Sequence, residues 1–272
     1  MAHTGKDNYS TLVLAKLRSE LKLADNVVFN NDYDGDATGA AVKIPSRDTE
    51  VAVSSYDIAD GIAPALGATS YITMPIDKDV AVNEIIDGYD VEAVPDNLVS
   101  DRLDSAGYAL AQKIDTDGGA VLLADGTAVS ITTAPTKTTI YDLFVDQRKE
   151  LTKANVPVND RYALCPPETV ALLLKSPEFI SASALGDTVK EAGIIGRIAG
   201  FNVIEWNNTT AKLVAVFGHP KFATRANAFK VDVHLQDLSG SGKYVGASAV
   251  QGRMVYAHKV LRATAVRVVK HA

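Results

Sequence analysis

Residues 41–76 are rich in β-like sequence that nothing nearby can cover. The segments AVKIP at 41–45 and VAVSSY at 51–56 favour strands, a small-residue linker DIADGIAPALGAT follows, and YITMPI at 71–76 supplies a third such run. Together they predict a long hairpin with a loose tip. A two-stranded hairpin is marginal in water, and no helical pattern in this region could shield it. Its burial has to come from the rest of the fold or from another subunit.

The remainder of the chain is large enough to supply a core. At 272 residues it makes one large or two modest domains and buries about three quarters of its unfolded surface. Apolar residues at 47% and charged residues at 22% are ordinary for a soluble globular chain. No apolar stretch approaches the ~20 residues that span a bilayer, and MAHTGKDNYS lacks the apolar centre of a secretion signal. No membrane partner is expected, and the cytosol is the expected compartment. The net charge of −6, from 33 acidic and 27 basic residues, comes without a long block of either sign. Sequence-specific nucleic-acid recognition wants a concentrated Lys/Arg footprint and is disfavoured, whereas a surface that merely faces nucleic acid is compatible.

Helical spacing recurs at several places. Leu12 or Val13, Leu17 and Leu21 predict a short amphipathic arm within residues 10–23, followed by the turn-rich VVFNNDYDGDATG. From Pro95, the positions Val99, Leu103, Ala106, Leu110 and Ile114 predict the longest helix, which Gly118 and Gly119 are expected to stop. A second helix is predicted over 139–154, with Ile140, Leu143, Phe144, Gln147 and Leu151 on one side. Lys149 and Lys153 fall in its last turn, where the helix dipole favours cations. Then come a strand at 161–164, a helix from Pro167 to residue 175 ended by Ser176 and Pro177, and strands at 201–205, 212–217 and 229–235. A final strand run at 250–269 is broken near Arg262. Helices and strands mix without a βαβ rhythm, so the expected class is α+β.

Several motifs invite a chemical function and fail its requirements. GIIGRIAGFNVIEWNN places glycines at 193, 196 and 200, but the dinucleotide fingerprint needs a closer first pair and a strand before the glycines rather than after them. A turn launching a strand is the expected structure. NNDYDGDATGAA puts Asn30, Asp32, Asp34 and Gly35 at the first, third, fifth and sixth places of a calcium loop. Its twelfth place is Ala41, where that loop needs a bidentate Glu. SGSGKYVG has Asp237 where the phosphate loop's first glycine would stand and Tyr244 after Lys243, so a turn between strands is expected. His3, His219, His234, His258 and His271 show no metal-binding spacing, and no Gly-x-Ser-x-Gly elbow occurs. The pairs Asp77 with Asp79 and Asp101 with Asp104 alternate with apolar residues as a solvated face does. Cys165 is the lone cysteine and is expected to be a small buried residue. No residue is nominated as catalytic, cofactor-binding or metal-binding, and no cofactor is expected.

Four stretches carry a resemblance. GDATGAAVKIP from Gly35, YITMPIDKDVAVNEIID from Tyr71, RYALCPPETVALLLKSPEF from Arg161 and GIIGRIAGFNVIEWNN from Gly193 together resemble the major capsid proteins of tailed bacteriophages, over about residues 10 to 270. The resemblance implies the Hong Kong 97-type capsid fold. It places an N-terminal arm at 1–38, the extended loop at 39–77, a peripheral domain with the long spine helix at 78–130 and 241–272, and an axial domain at 131–240. It implies a non-enzymatic virion protein that assembles with itself into hexamers and pentamers. These would form an icosahedral shell around double-stranded DNA in the host bacterial cytoplasm, with a portal. Because the fold begins almost at Met1, a separate scaffolding protein is expected. Some relatives crosslink a loop lysine to a neighbour, but Lys43 and Lys78 lie at the ends of the loop rather than its tip, so no crosslink is expected. The alternatives are another virion component, of the tail or a decoration, and a small cytosolic enzyme binding a nucleotide at the Gly193 region or a metal at Asp32 to Asp36.

Overall fold

The computed structural model describes residues 18–23, 27–34, 39–47, 50–51, 53–59, 61–62, 67, 69–89, 98–176 and 196–272. The predicted arm over 10–17, the helix start at Pro95 and the first part of the Gly193 stretch lie outside them. Within them the α+β class holds, with three helices and three sheets.

The longest helix, α1 (Leu98–Asp125), buries Ala106, Leu110 and Ile114, as its spacing predicts. It does not stop at Gly118 and Gly119. It runs through both to Asp125, and Gly126 follows, its N–H donating to the Leu122 carbonyl at 3.1 Å. The two mid-helix glycines answer a packing demand. A Cβ at Gly118 would stand 3.0 Å from Phe29 and 3.2 Å from His258 Nε2, and one at Gly119 would stand 2.5 Å from Trp206. Residues 18–23 are not helical. They lie along α1 and give their polar groups to it: Arg18 pairs with Asp104 at 2.6 Å, the Ser19 carbonyl accepts from Tyr108 Oη at 3.0 Å, and the Leu23 N–H donates to Asp115 at 2.5 Å.

The N-terminal half of α1 packs on a three-stranded antiparallel sheet of β3 (Lys78–Asp87), β10 (Ala247–Val260) and β9 (Ala223–Asp237), in that order. Ile86, Ala106 and Val250 are buried there, with Val82, Leu103 and Val233 beside them. Strand β3 has no counterpart among the predicted strands. Its outward residues alternate polar with apolar, and Asp79 forms a two-pronged pair with Arg253 of β10 at 2.9 and 2.6 Å. The turn between β9 and β10 contains SGSGKYVG, as expected.

The second body is a six-stranded mixed sheet in the order β4 (Thr127–Ile131), β11 (Arg267–His271), β8 (Leu213–Gly218), β5 (Tyr162–Cys165), β7 (Phe201–Glu205), β6 (Arg197–Ile198). Its central strands are buried on both faces. Ala163, Cys165, Ala215 and Phe217 face one core with α2 (Ile140–Lys153) and α3 (Pro167–Leu174). Tyr162, Leu164 and Val216 face the other with Leu122, Trp206 and Phe29. In the first core Phe144, Phe201 and Phe217 meet edge to face, with centroids 4.9 to 6.2 Å apart. The hairpin β6–β7 turns at Ala199 and Gly200, whose φ values of 47° and 87° are the left-handed pair a two-residue turn needs. The glycine stretch is therefore a turn that launches a strand.

The final strand run breaks where expected, at residues 261–266, but its halves part company. Strand β10 is central to the three-stranded sheet, whereas β11 joins the six-stranded one, parallel to β4 and antiparallel to β8. One chain segment thus ties the two bodies together.

Candidate functional site

The hairpin foreseen at 41–76 exists in a shorter form. Strand β1 (Ala41–Ser46) pairs antiparallel with β2 (Ser70–Pro75), from Ala41 opposite Pro75 to Ser46 opposite Ser70. The described residues at 50–56 lie beyond the last pair and form no strand, which corrects the β segment predicted at 51–56, whereas the run predicted at 71–76 is β2.

The base of the hairpin is covered by the rest of the fold, one of the two sources of burial that the sequence left open. Val42, Ile44 and Met74 are buried, and they pack on Ala226 of β9 and Ala257 of β10, with Tyr33, Ile72 and Leu261 at the edge. The two alanines leave room for the larger side chains to reach the sheet. Arg262 clamps the far end of β1, its Nη2 donating to Ser46 Oγ at 3.1 Å and to the Arg47 carbonyl at 2.9 Å. Each buried aliphatic side chain here is worth about 1.5–3 kcal/mol of transfer free energy, so the subunit itself holds the base.

The tip is the opposite case. Val53 is 97% exposed, Ile58 90% and Tyr56 71%, with Val51 and Ile62 also exposed. A small turn supports this segment, with the Gly61 N–H donating to the Asp57 carbonyl and the Ala59 N–H to Asp57 Oδ1, both at 2.8 Å. Single exposed apolar residues are ordinary, but here five fall within one loop. A smaller set, Tyr89 and Val245, lies at one end of the three-stranded sheet, where the Gly88 N–H bonds the Gly246 carbonyl at 3.1 Å.

The residues weighed for chemistry sit elsewhere and apart. Asp34 gives its carboxylate to the Asn227 N–H at 2.8 Å, and Asn30 Nδ2 donates to the Pro220 carbonyl; residues 35–38 of that acidic loop lie outside the described set. No group of three or more His, Cys, Asp or Glu placed to hold a metal ion occurs among the described residues. Cys165 is fully buried, and burial pushes its thiol well above the usual range. His219 is buried and accepts from the Lys221 N–H at 3.1 Å; burial, with Lys221 nearby, lowers its pKa. His258 is buried beneath α1, while His234 and His271 lie nearer the surface. Lys43 points outward from β1 and Lys78 pairs with Asp77, both near the base of the hairpin. No helix among the described residues is long and apolar enough to cross a membrane. The anchoring set of Ala226, Ala257 and Arg262 escaped the sequence, where alanine carries no signal; only the strand break at Arg262 hinted at a special position.

The phage capsid protein family matches residues 84–269, more than half of the chain. No curated protein matches the sequence. Among solved structures, the chain of Mycobacterium phage Che8 superposes with a TM-score of 0.81 at 23% identity, covering 97% of this chain and 96% of that one. The capsid structure of cyanophage P-SCSP1u gives a TM-score of 0.83 at 15% identity, over 98% and 92%. The capsid of Myoviridae phage XM1 gives 0.67 at 14% identity, over 98% and 97%. At these identities the likeness is one of fold, and the family match over most of the three-stranded and six-stranded sheets adds the role: the chain belongs to the phage capsid protein family, as a major capsid protein with the Hong Kong 97-type fold.

Proposed function

We propose that this chain tiles a closed icosahedral shell as hexamers and pentamers of itself, and that the shell encloses double-stranded DNA which it faces without reading its sequence. The observation that carries this reading is the contrast within one hairpin: a base buried on its own subunit and a tip whose apolar residues are left to solvent. A rigidly held projection of that kind buries its tip on an adjacent copy. Many such contacts of modest affinity add up to a stable closed particle.

In this reading residues 1–38 are the N-terminal arm and 39–77 the extended loop. The peripheral domain is α1 with the three-stranded sheet, and the axial domain is the six-stranded sheet with α2 and α3. Divided by sheets rather than by the stretches 78–130, 131–240 and 241–272, β9 goes with the peripheral domain and β4 and β11 with the axial one. A portal and a separate scaffolding protein are the further partners, and assembly takes place in the host bacterial cytoplasm. The role is structural, with no catalytic residue assigned.

Deletion of residues 57–69 tests the reading. The expected product is a soluble subunit with unchanged unfolding behaviour that forms few closed particles by sedimentation and negative-stain imaging. Normal shells from the deletion would remove the hairpin from the assembly mechanism. Tubes, or knobs attached to other particles, formed by the intact chain would instead place it in the tail or among decoration proteins.

A further inference from the structure

His258 occupies a junction that the shell-building role does not explain. It is 7% exposed, on β10, and neither ring nitrogen makes a hydrogen bond. Every element around it closes on the ring. From α1, Gly118 approaches so near that a Cβ would stand 3.2 Å from Nε2. From residues 27–34, the Phe29 ring meets it edge-on with centroids 4.9 Å apart, and Tyr256 of β10 meets it at 5.5 Å. Its cross-strand neighbour on β9 is Arg225.

The charged groups facing it come from each packed element. Arg225 on β9 and Lys78 at the start of β3 oppose a second positive charge, while Asp117 on α1 and Asp77 favour one. Asp117 is already engaged, accepting from Tyr256 Oη at 2.8 Å and from Lys113 Nζ at 2.7 Å. A neutral imidazole fits this site as a small aromatic wedge. An imidazolium would be a buried cation beside a guanidinium, with both of its N–H donors unsatisfied, and such a group is costly unless the packing opens to water.

We propose that His258 is an acid-sensitive latch: while neutral it lets α1, β9, β10 and residues 27–34 close around one ring, and its protonation loosens that junction. The direction follows from linkage. The site favours the neutral ring, and burial and Arg225 bring its pKa from the ordinary 6.5 down to about 4. The opened state therefore binds one proton more than the closed state between those values, and stability is full above 6.5 and lost as pH falls toward 4.

Two probes near the junction report opening. Trp206, the only tryptophan, lies on Gly119, beside Gly118. The Asn30 N–H, bonded to the Ala223 carbonyl at 2.9 Å, reports release of residues 27–34 by hydrogen exchange. In the full chain, the opening equilibrium at Asn30, corrected for intrinsic exchange, should rise about tenfold per pH unit below 6.5, with a parallel change in Trp206 emission. In His258→Phe, which keeps an aromatic wedge without a titrating group, this slope should vanish. An equal slope in the variant, or none in the native chain, overturns the proposal. Should His258→Phe fail to fold, an NMR titration of the His258 ring in the native chain decides. A midpoint more than one unit below 6.5 supports the latch, and a midpoint within one unit of it overturns the latch.

Discussion

The indole of Trp206 fills the space that a side chain at position 119 would need: a Cβ on Gly119 would stand 2.5 Å from Cζ2 and 3.0 Å from Cη2. Because Trp206 follows β7 and Gly119 is in the C-terminal third of α1, the contact joins that helix to the six-stranded sheet. Glycine in a helix interior costs about 1 kcal/mol against alanine, a cost here offset by close approach of a large aromatic group.

Gly119→Ala should therefore destabilise the subunit despite its better helix propensity, by about 1–3 kcal/mol as an overpacked core site does. Gly107→Ala on the same helix is the control. A Cβ there meets nothing within 4 Å, so this variant should gain up to about 1 kcal/mol. Urea midpoints of the two variants should move in opposite directions. If both rise, the Trp206 contact does not constrain the helix.

This pair of glycines also shows what could be read in advance. Helix α2 was fully legible, because its buried positions Ile140, Phe144, Gln147 and Leu151 repeat at helical spacing. The end of α1 was not. Gly118 and Gly119 read locally as a stop, and only Phe29, His258 and Trp206, brought in by tertiary folding, turn them into packing positions. The hairpin was legible as a strand pair, but its anchorage rests on Ala226, Ala257 and Arg262, whose role depends on where β9 and β10 lie. Strand β3 was hidden because its alternation of polar and apolar residues suits a solvated surface as well as an exposed sheet face; the Asp79–Arg253 pair across β3 and β10 decides between them.

On the proposed reading the hairpin separates anchoring, at its base, from assembly, at its tip. Val53→Asp and Ile58→Asp alter side chains that touch little of their own subunit, so the unfolding midpoint should stay within about 0.5 kcal/mol of the native one, while the concentration needed for particles rises. Met74→Ala removes a fully buried side chain at the base and should cost about 2–5 kcal/mol of subunit stability. Paired sedimentation and urea measurements check both. A tip variant that unfolds early yet assembles normally would reverse the assignment.

Arg161 should resist even conservative replacement. It is almost fully buried at the entry to β5, and its guanidinium donates to the carbonyls of Pro157 at 2.7 Å, Val156 at 2.6 Å and Arg148 at 3.2 Å, and to Thr152 Oγ1. These acceptors belong to the last turns of α2 and the loop after it, where a cation also meets the negative end of the helix dipole. A lysine ammonium cannot reach so spread a set. Arg161→Lys should cost about 2–4 kcal/mol, since several buried carbonyls lose their donor. A loss below about 0.5 kcal/mol in urea unfolding would show that water replaces the fork freely.

The Asp117 carboxylate gives a pH dependence separate from that of His258. Burial alone would raise its pKa, but hydrogen bonds from Lys113 and Tyr256 outweigh burial and hold it below the ordinary 3.8. A carboxyl depressed on folding adds stability that is complete above its unfolded value and is lost as pH falls through the folded one. Tyr256→Phe removes one of those bonds and should cost about 0.5–1.5 kcal/mol near neutral pH. That difference from the native chain should persist at pH 5, where Asp117 is still ionised, and shrink below 3.8 as the carboxyl protonates in both proteins. Urea midpoints across this range test it. A difference that instead collapses between 6.5 and 4 would mean that Tyr256 acts on the His258 ring it touches rather than on Asp117.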